Sequence, residues 1–346
     1  VAPSYFRLSR YVLSATDTWE PMSGLTISFA ATFENTSPRT ERYNRQSTVD
    51  LKTLNPANGL PGAVIFAGLN GAPTTFQPYV RRVEPSASLA WSPGGNRKSV
   101  IRASYARSYQ APPLYGSQFG TQGFNATQTF NAPNAETTPA FFLGDGVPAG
   151  TALPDLTATT ANGTNAALVE RSGKTPIYQS GGVSYEREIP KQVILSGGLS
   201  TAWGHNLFVG SWAASPNAIS PDNLKYGVQL NDLEFRNSLR PYPQYLDFNV
   251  SSLWPEGNYR RNSAWFRVEK RSSGGLTLSA TYEFSRQWDD YSGPYGKQDY
   301  FNAANEWALT PWNAPQHLSM NLSYELPIGT NKPFLNFRDW RRHLVD

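Results

Sequence analysis

The sequence has no cysteine, two methionines and three histidines among its 346 residues. Without cysteine it has neither a disulfide framework nor a thiolate metal site. His205, His317 and His343 stand apart along the chain. A general base needs a positioned partner, so isolated histidines offer no catalytic centre. No apolar run reaches the roughly 18 residues that a membrane-spanning helix needs. Charged residues make up 16% of the chain, the net charge is +4, and Lys and Arg are scattered. That distribution gives no support to a nucleic-acid partner. No pattern names a cofactor, a metal or an enzymatic activity. Val1 opens no export signal, having neither a basic start nor an apolar segment before small residues. An exported protein is expected to have lost that part ahead of Val1.

Aromatic residues, in contrast, are abundant at 13%, with 10 Trp and 18 Tyr. The mean hydropathy is −0.48. Both values suit a barrel in lipid, where aromatic girdles mark the interfaces and the lumen and loops are polar. The most informative pattern is a period of two. In Leu276–Ser285 every even position is apolar and every odd one polar, and Leu318–Leu326 repeats the alternation. Such a period means a β-strand between an apolar and an aqueous medium. Runs of about nine to eleven residues match a tilted strand crossing a bilayer.

The same period predicts hairpins Tyr11–Trp19 with Leu25–Phe33, Ser86–Trp91 with Val100–Tyr109, Val183–Ile189 with Val193–Trp203, and Trp265–Lys270 with Leu276–Phe284. Leu318–Leu326 makes about nine long strands. The turns within hairpins are short and rich in Pro and Gly. The connections between them, roughly 35–82, 110–179, 204–262 and 287–316, are long and rich in Asn, Thr, Pro, Gly and Ala. Strict alternation of short and long connections is foreign to a compact soluble domain and expected of an outer-membrane barrel. The fold class is therefore all-β: an antiparallel transmembrane β-barrel, seen in part, with long extracellular loops and short periplasmic turns. A soluble β-sandwich or β-solenoid is the competing fold, since it alternates too.

Several segments resemble Oar-like TonB-dependent receptors. They include Asn55-Pro56-Ala57-Asn58-Gly59-Leu60-Pro61-Gly62-Ala63, Glu84–Pro93 with Gly95–Arg102, and Asn237-Ser238-Leu239-Arg240-Pro241-Tyr242-Pro243-Gln244-Tyr245. The most specific are Val268–Arg271, Gly274–Leu276, Tyr282–Arg286 with Asp289-Asp290, and Pro315–His317 with Leu322–Gly329. The resemblance covers nearly the whole chain and is weakest between Tyr115 and Tyr178. It implies a bacterial outer-membrane transporter with an amino-terminal carboxypeptidase-regulatory-like domain, a plug and a barrel of about 22 strands. Residues 1–346 would be an internal section of that barrel, with the plug and amino-terminal domains absent from this chain. The implied partners are outer-membrane lipid and lipopolysaccharide, the TonB complex acting through the plug, and an extracellular substrate such as an oligosaccharide, a peptide or a metal chelate. A non-transporting surface barrel, whose loops mediate adhesion or assembly, is the alternative.

The candidate ligand contacts are loop aromatics: Tyr115, Phe119, Phe124, Trp288, Tyr291, Tyr295 and Trp312. Parity places Arg102, Arg267, Glu269, Thr281, Glu283, Asn321 and Glu325 on the lumenal side. A lumenal charge is expected to pair with plug carboxylates or to line a permeation route. Arg107 and Arg187 fall on the apolar parity and are read as interfacial anchors. Trp19, Trp91, Tyr109, Trp203 and Trp265 are expected near strand ends. Asp289-Asp290 reads as a solvated loop tip, because no calcium-loop spacing surrounds it.

Overall fold

The computed structural model describes residues 4–95, 98–110, 120–125, 128–134, 137–150, 154–209, 215–250, 254–273, 275–290, 299–329, 331–336 and 340. Its strands are β1 (Phe6–Arg7), β2 (Arg10–Met22), β3 (Leu25–Thr36), β4 (Thr40–Glu41), β5 (Ser47–Leu54), β6 (Pro61–Phe66), β7 (Val80–Trp91) and β8 (Ser99–Tyr109). There follow β9 (Asn165–Leu168), β10 (Ile177–Ile189), β11 (Val193–Val209), β12 (Asp247–Val250), β13 (Trp254–Ser273), β14 (Leu276–Asp289), β15 (Ala308–Leu309) and β16 (Gln316–Tyr324). One short helix, α1 (Leu233–Ser238), is capped by the Asp232 carboxylate, which accepts from the N–H groups of Glu234 and Phe235.

Ten strands form one antiparallel sheet in the order β2-β3-β7-β8-β10-β11-β13-β14, with β15 and β16 sharing the far edge of β14. Its path does not close on itself among the described residues. All nine strands read from the sequence are present, and all lie in this wall. Most are longer than their alternating cores. β13 has 20 residues and β11 has 17, so both continue well beyond a membrane-crossing length. The first turn is tighter than its Pro content suggested. β2 runs on to Met22, and a register shift between Trp19 and Met22 accommodates Pro21, which has no N–H for the ladder. Ser23 and Gly24 alone reverse the chain. Gly24 sits at φ +80°, and a Cβ there would lie 2.9 Å from the Ser92 carbonyl.

Two expectations about strand ends are corrected. Trp265 is in the middle of β13, because that strand begins at Trp254 within the predicted loop. Trp288 and Asp289 belong to β14 rather than to a loop. Asp289 and Asp290 are both buried, and Asp290 accepts from the backbone and side-chain N–H groups of Asn258 at 2.6 and 2.7 Å. They are structural carboxylates, not a solvated tip.

The long connections also carry more structure than expected. β5 and β6 form a hairpin in the first of them. β9 in the second pairs in parallel with β12 in the third. Val49, Val64, Phe66, Ala161, Ala166, Leu168, Tyr245, Phe248 and Val250 pack together there as a hydrophobic core. Three loops far apart in sequence thus build one body, the cap, at the long-loop end of the wall.

Candidate functional site: the polar face and the cap

Directly opposed residues in a sheet share a face, so the registers sort every wall side chain. One face is apolar and uncovered: Leu13 is 72% exposed, Leu199 61%, Phe266 50% and Leu322 57%. The other is polar. Arg102, Arg267, Glu269, Thr281, Glu283 and Asn321 all lie on it. Glu325 stands one residue past β16, where it pairs with Lys332 at 2.5 Å.

The charges of the polar face neutralise one another. Arg102 meets Glu186 at 3.3 Å, Arg261 meets Glu283 at 2.6 Å, and Arg267 pairs with Glu269. Arg10 reaches Glu34 at 2.5 Å, and Arg82, itself buried, grips the same carboxylate. Arg82 also donates to the Gln110 carbonyl at 3.1 Å. Arg102 and Arg267, which parity assigns to pairing with plug carboxylates or to lining a permeation route, each have a carboxylate partner within the wall. The Glu34 cluster went unseen in the sequence, although the matching parity of Arg10, Glu34 and Arg82 was there to be read.

Across the middle of this face runs a row of small residues, one from each of eight strands. Thr18 opposes Ser28, then Ser88, Ser104, Gly182, Ser200, Ser263 and Ser285 follow in register. Hydroxyls bridge neighbours at 3.2 Å between Thr18 and Ser28 and 2.7 Å between Ser200 and Ser263. Beside the row lies a recess of about 380 Å³, bordered by Ser88, Arg102, Ser104, Ser184, Ser200 and Trp265. Gly198 makes room for the indole: a Cβ there would sit 3.0 Å from Trp265 Cε2 and 2.8 Å from the Val183 carbonyl.

The cap is locked by two of the motifs noted in the sequence. Asn55, fully buried, donates to the Gly62 carbonyl at 3.3 Å and to Asn162 Oδ1 at 2.8 Å. Gln244 Nε2 and the Tyr245 hydroxyl donate to the same Gly62 carbonyl at 2.8 and 3.0 Å. Gly62 has φ +101°, and a Cβ would meet Tyr242 Cδ1 and Gln244 Nε2 at 2.8 Å, so only glycine fits. Asn217 ties the second motif to itself, bonding the Tyr242 N–H and the Tyr242 and Tyr245 carbonyls. The segments Asn55–Ala63 and Asn237–Tyr245 therefore dock on one another. Burial pushes the Tyr245 hydroxyl pKa up, as it does that of Tyr242.

At the base of the cap β1 pairs with β4, and Glu41 holds the joint. Burial raises its pKa, but the Arg45 side chain and the N–H groups of Arg45, Tyr5 and Tyr43 outweigh that effect. The result lies at about 2, against 4.5 for an ordinary glutamate.

Of the seven aromatic candidates, the three that are described, Phe124, Trp288 and Trp312, lie apart from one another. Tyr115, Phe119, Tyr291 and Tyr295 lie outside the described residues. Phe124 packs edge-on against Phe66 at 5.5 Å, beside the cap core. Trp288 is on the apolar face, opposed to Arg260 and Leu309. Trp312 is 74% exposed in the turn before β16.

An antiparallel sheet with one apolar and one polar face, capped by loops at one end, is the wall of an outer-membrane β-barrel. The chain belongs to the outer membrane beta barrel domain family, whose model matches residues 2–346, and it is a protein of the bacterial outer membrane. No curated protein sequence matches it. Similar solved structures include the alcaligin outer membrane receptor FauA from Bordetella pertussis, at 11% identity and TM-score 0.39, covering 93% of this chain and 35% of that one. The ferric-catecholate import receptor Fiu from E. coli K12 matches at 10% identity and TM-score 0.41, over 93% and 32% of the two chains. The outer membrane transporter YddB from Escherichia coli matches at 10% identity and TM-score 0.39, over 92% and 40%. The chain thus spans about a third to two fifths of the length of these structures.

Proposed function

We propose that this chain forms part of the wall and the external cap of a TonB-dependent, Oar-like outer-membrane transporter. The apolar face meets lipid, the polar face lines the lumen, and the long-loop end is extracellular. The observation that supports this reading best is the asymmetry of the two ends. Short turns close one rim, and a cross-tied cap with its own core crowns the other. The Oar-like motif segments are what hold that cap together. Substrate capture falls to the cap and to exposed loop aromatics, among them Trp312, and the cargo is an oligosaccharide, a peptide or a metal chelate. The TonB complex would act through a plug outside this chain, and outer-membrane lipid surrounds the wall.

Comparing cells with and without TonB, each expressing the full-length gene product, tests this reading. Accumulation of labelled candidate substrates is expected only when TonB is present. Accumulation independent of TonB, or none in either strain while whole cells still bind surfaces through the loops, would favour the adhesion reading. The rigidity of the cap suits that role as well.

A further inference from the structure

We propose that Arg107, Arg260 and Arg286, framed by Trp203 and Trp288, bind the phosphate groups of a glycolipid in the outer leaflet. This rests on the reading above that the apolar face meets lipid and that the long-loop end is external. Five arginines of the polar wall face, Arg10, Arg82, Arg102, Arg261 and Arg267, have carboxylate partners. Arg81, Arg107, Arg187, Arg260 and Arg286 lie on the other face. Among the described residues none of these five makes an ion pair. The difference is one of face, not of residue type.

Three of the five gather near the long-loop end. Trp203 opposes Arg260, which opposes Trp288, and Arg286 lies diagonally beside Arg260. Arg107 opposes Gln179, which opposes Trp203, so it lies three strand spacings from Arg260, about 14 Å. Their contacts are with rings: Arg107 over Tyr109 at 4.9 Å and Arg286 over Phe284 at 6.0 Å. Arg107 Nε is buried and has no hydrogen-bond partner among the described residues. The nearby Asp290 carboxylate is already engaged by Asn258.

Unpaired guanidinium groups at a lipid boundary are stabilised by anions that reach them, and their planar fork matches phosphate oxygens. Tryptophans prefer the same headgroup level. The choice of a lipid over an acidic protein comes from what lies next to the patch. Leu199, Ala264 and Phe284 continue it into the apolar band, so one amphiphile with an anionic head and acyl chains covers both.

The experiment titrates the full-length protein in detergent with lipopolysaccharide, with the same glycolipid stripped of phosphate, and with inorganic phosphate. Compared with wild type, the Arg260→Gln/Arg286→Gln variant is expected to bind lipopolysaccharide about tenfold more weakly. Arg187→Gln, at the opposite rim, should bind like wild type, and the stripped lipid should bind wild type no better than the double variant. Should the double variant fail to assemble, Arg260→Lys keeps the charge but loses the fork, and it is expected to weaken binding about threefold. Full affinity in the double variant, or in Arg260→Lys where that variant stands in for it, would overturn the proposal. So would an equal loss in Arg187→Gln, or displacement of the lipid by inorganic phosphate or by polyglutamate at similar concentration. Substrate accumulation by the double variant should be unchanged, so a failure of the lipid site and a failure of the transport reading are distinguishable.

Discussion

The wall and the cap are built on opposite plans. In the wall the apolar side chains point outward and stay uncovered, and the protein-facing side is polar. In the cap Val49, Val64, Phe66, Leu168, Tyr245 and Phe248 turn inward and are buried as in a soluble domain. One chain thus uses two solvents. The wall's apolar surface is to be buried by lipid, whereas the cap buries its own. The lesson is that burial within one chain measures only the part that completes itself.

The comparison can be broken most sharply at Tyr245. Replacing it with Ala removes a buried ring and one of the three donors to the Gly62 carbonyl. The expected cost is about 3–5 kcal/mol of local cap stability. Hydrogen exchange should speed up in β5, β6, β9 and β12 and stay unchanged in the wall. Exchange that also rises in β10 and β11 would show that cap and wall are one cooperative unit.

A charge in the wall tests the other plan. Ala280→Arg, on the apolar face, is expected to cost about 2–4 kcal/mol in a bilayer. Thr281→Arg, on the polar face, should cost about 1 kcal/mol or less, mostly through repulsion by the opposed Arg267. Reversible unfolding in lipid measures both. An equal loss would mean that the two faces meet the same medium.

Acid should loosen the cap base. Glu41 has a folded pKa of about 2 against 4.5, so its contribution is fully present above pH 4.5. That contribution is lost as pH falls from 4.5 towards 2, when the carboxylate takes up a proton. Protection of Phe6–Arg7 from exchange, relative to the intrinsic rate at each pH, is expected to fall across that window in wild type. In Glu41→Gln that protection should be low throughout and insensitive to pH. A flat wild-type profile would remove Glu41 from this role.

Labelling should show the smallest energetic effect and the clearest sidedness. Cysteines introduced at Asn58 and Asn70 of the cap should react with an impermeant thiol reagent on intact cells. Cysteines at Ser23 and Lys191 in the short turns should not. The reverse pattern would invert the topology.

The wall was legible in the sequence because a period of two is local. Leu276–Ser285 declares its faces without reference to any partner. The cap was not legible, since its strands are too short to alternate and its bonds join distant segments. Asn55 meets Asn162 across 107 residues, and Gln244 meets Pro61 across 183. The motifs at those positions were visible, but nothing in either one named the other as its partner. The surroundings of two loop-like aromatics were hidden for a related reason. Phe124 and Trp288 sit in segments whose composition reads as loop, yet one packs beside a core and the other completes a strand.

The row from Thr18 to Ser285 has a mechanical consequence. Each hydroxyl can donate and accept, and each stands about one strand spacing from the next, except across Gly182, where Ser104 and Ser200 are two spacings apart. From Thr18 to Ser104, a polar group leaving one hydroxyl therefore finds an equivalent one beside it before it is stranded. Without long side chains, nothing in the row can act as a ratchet tooth. Motion across the polar face from Thr18 to Ser104 meets a nearly even energy profile, like a journal moving over a wetted sleeve. Replacing Ser104 with a bulky residue would set a stop in that sleeve and leave the apolar face untouched.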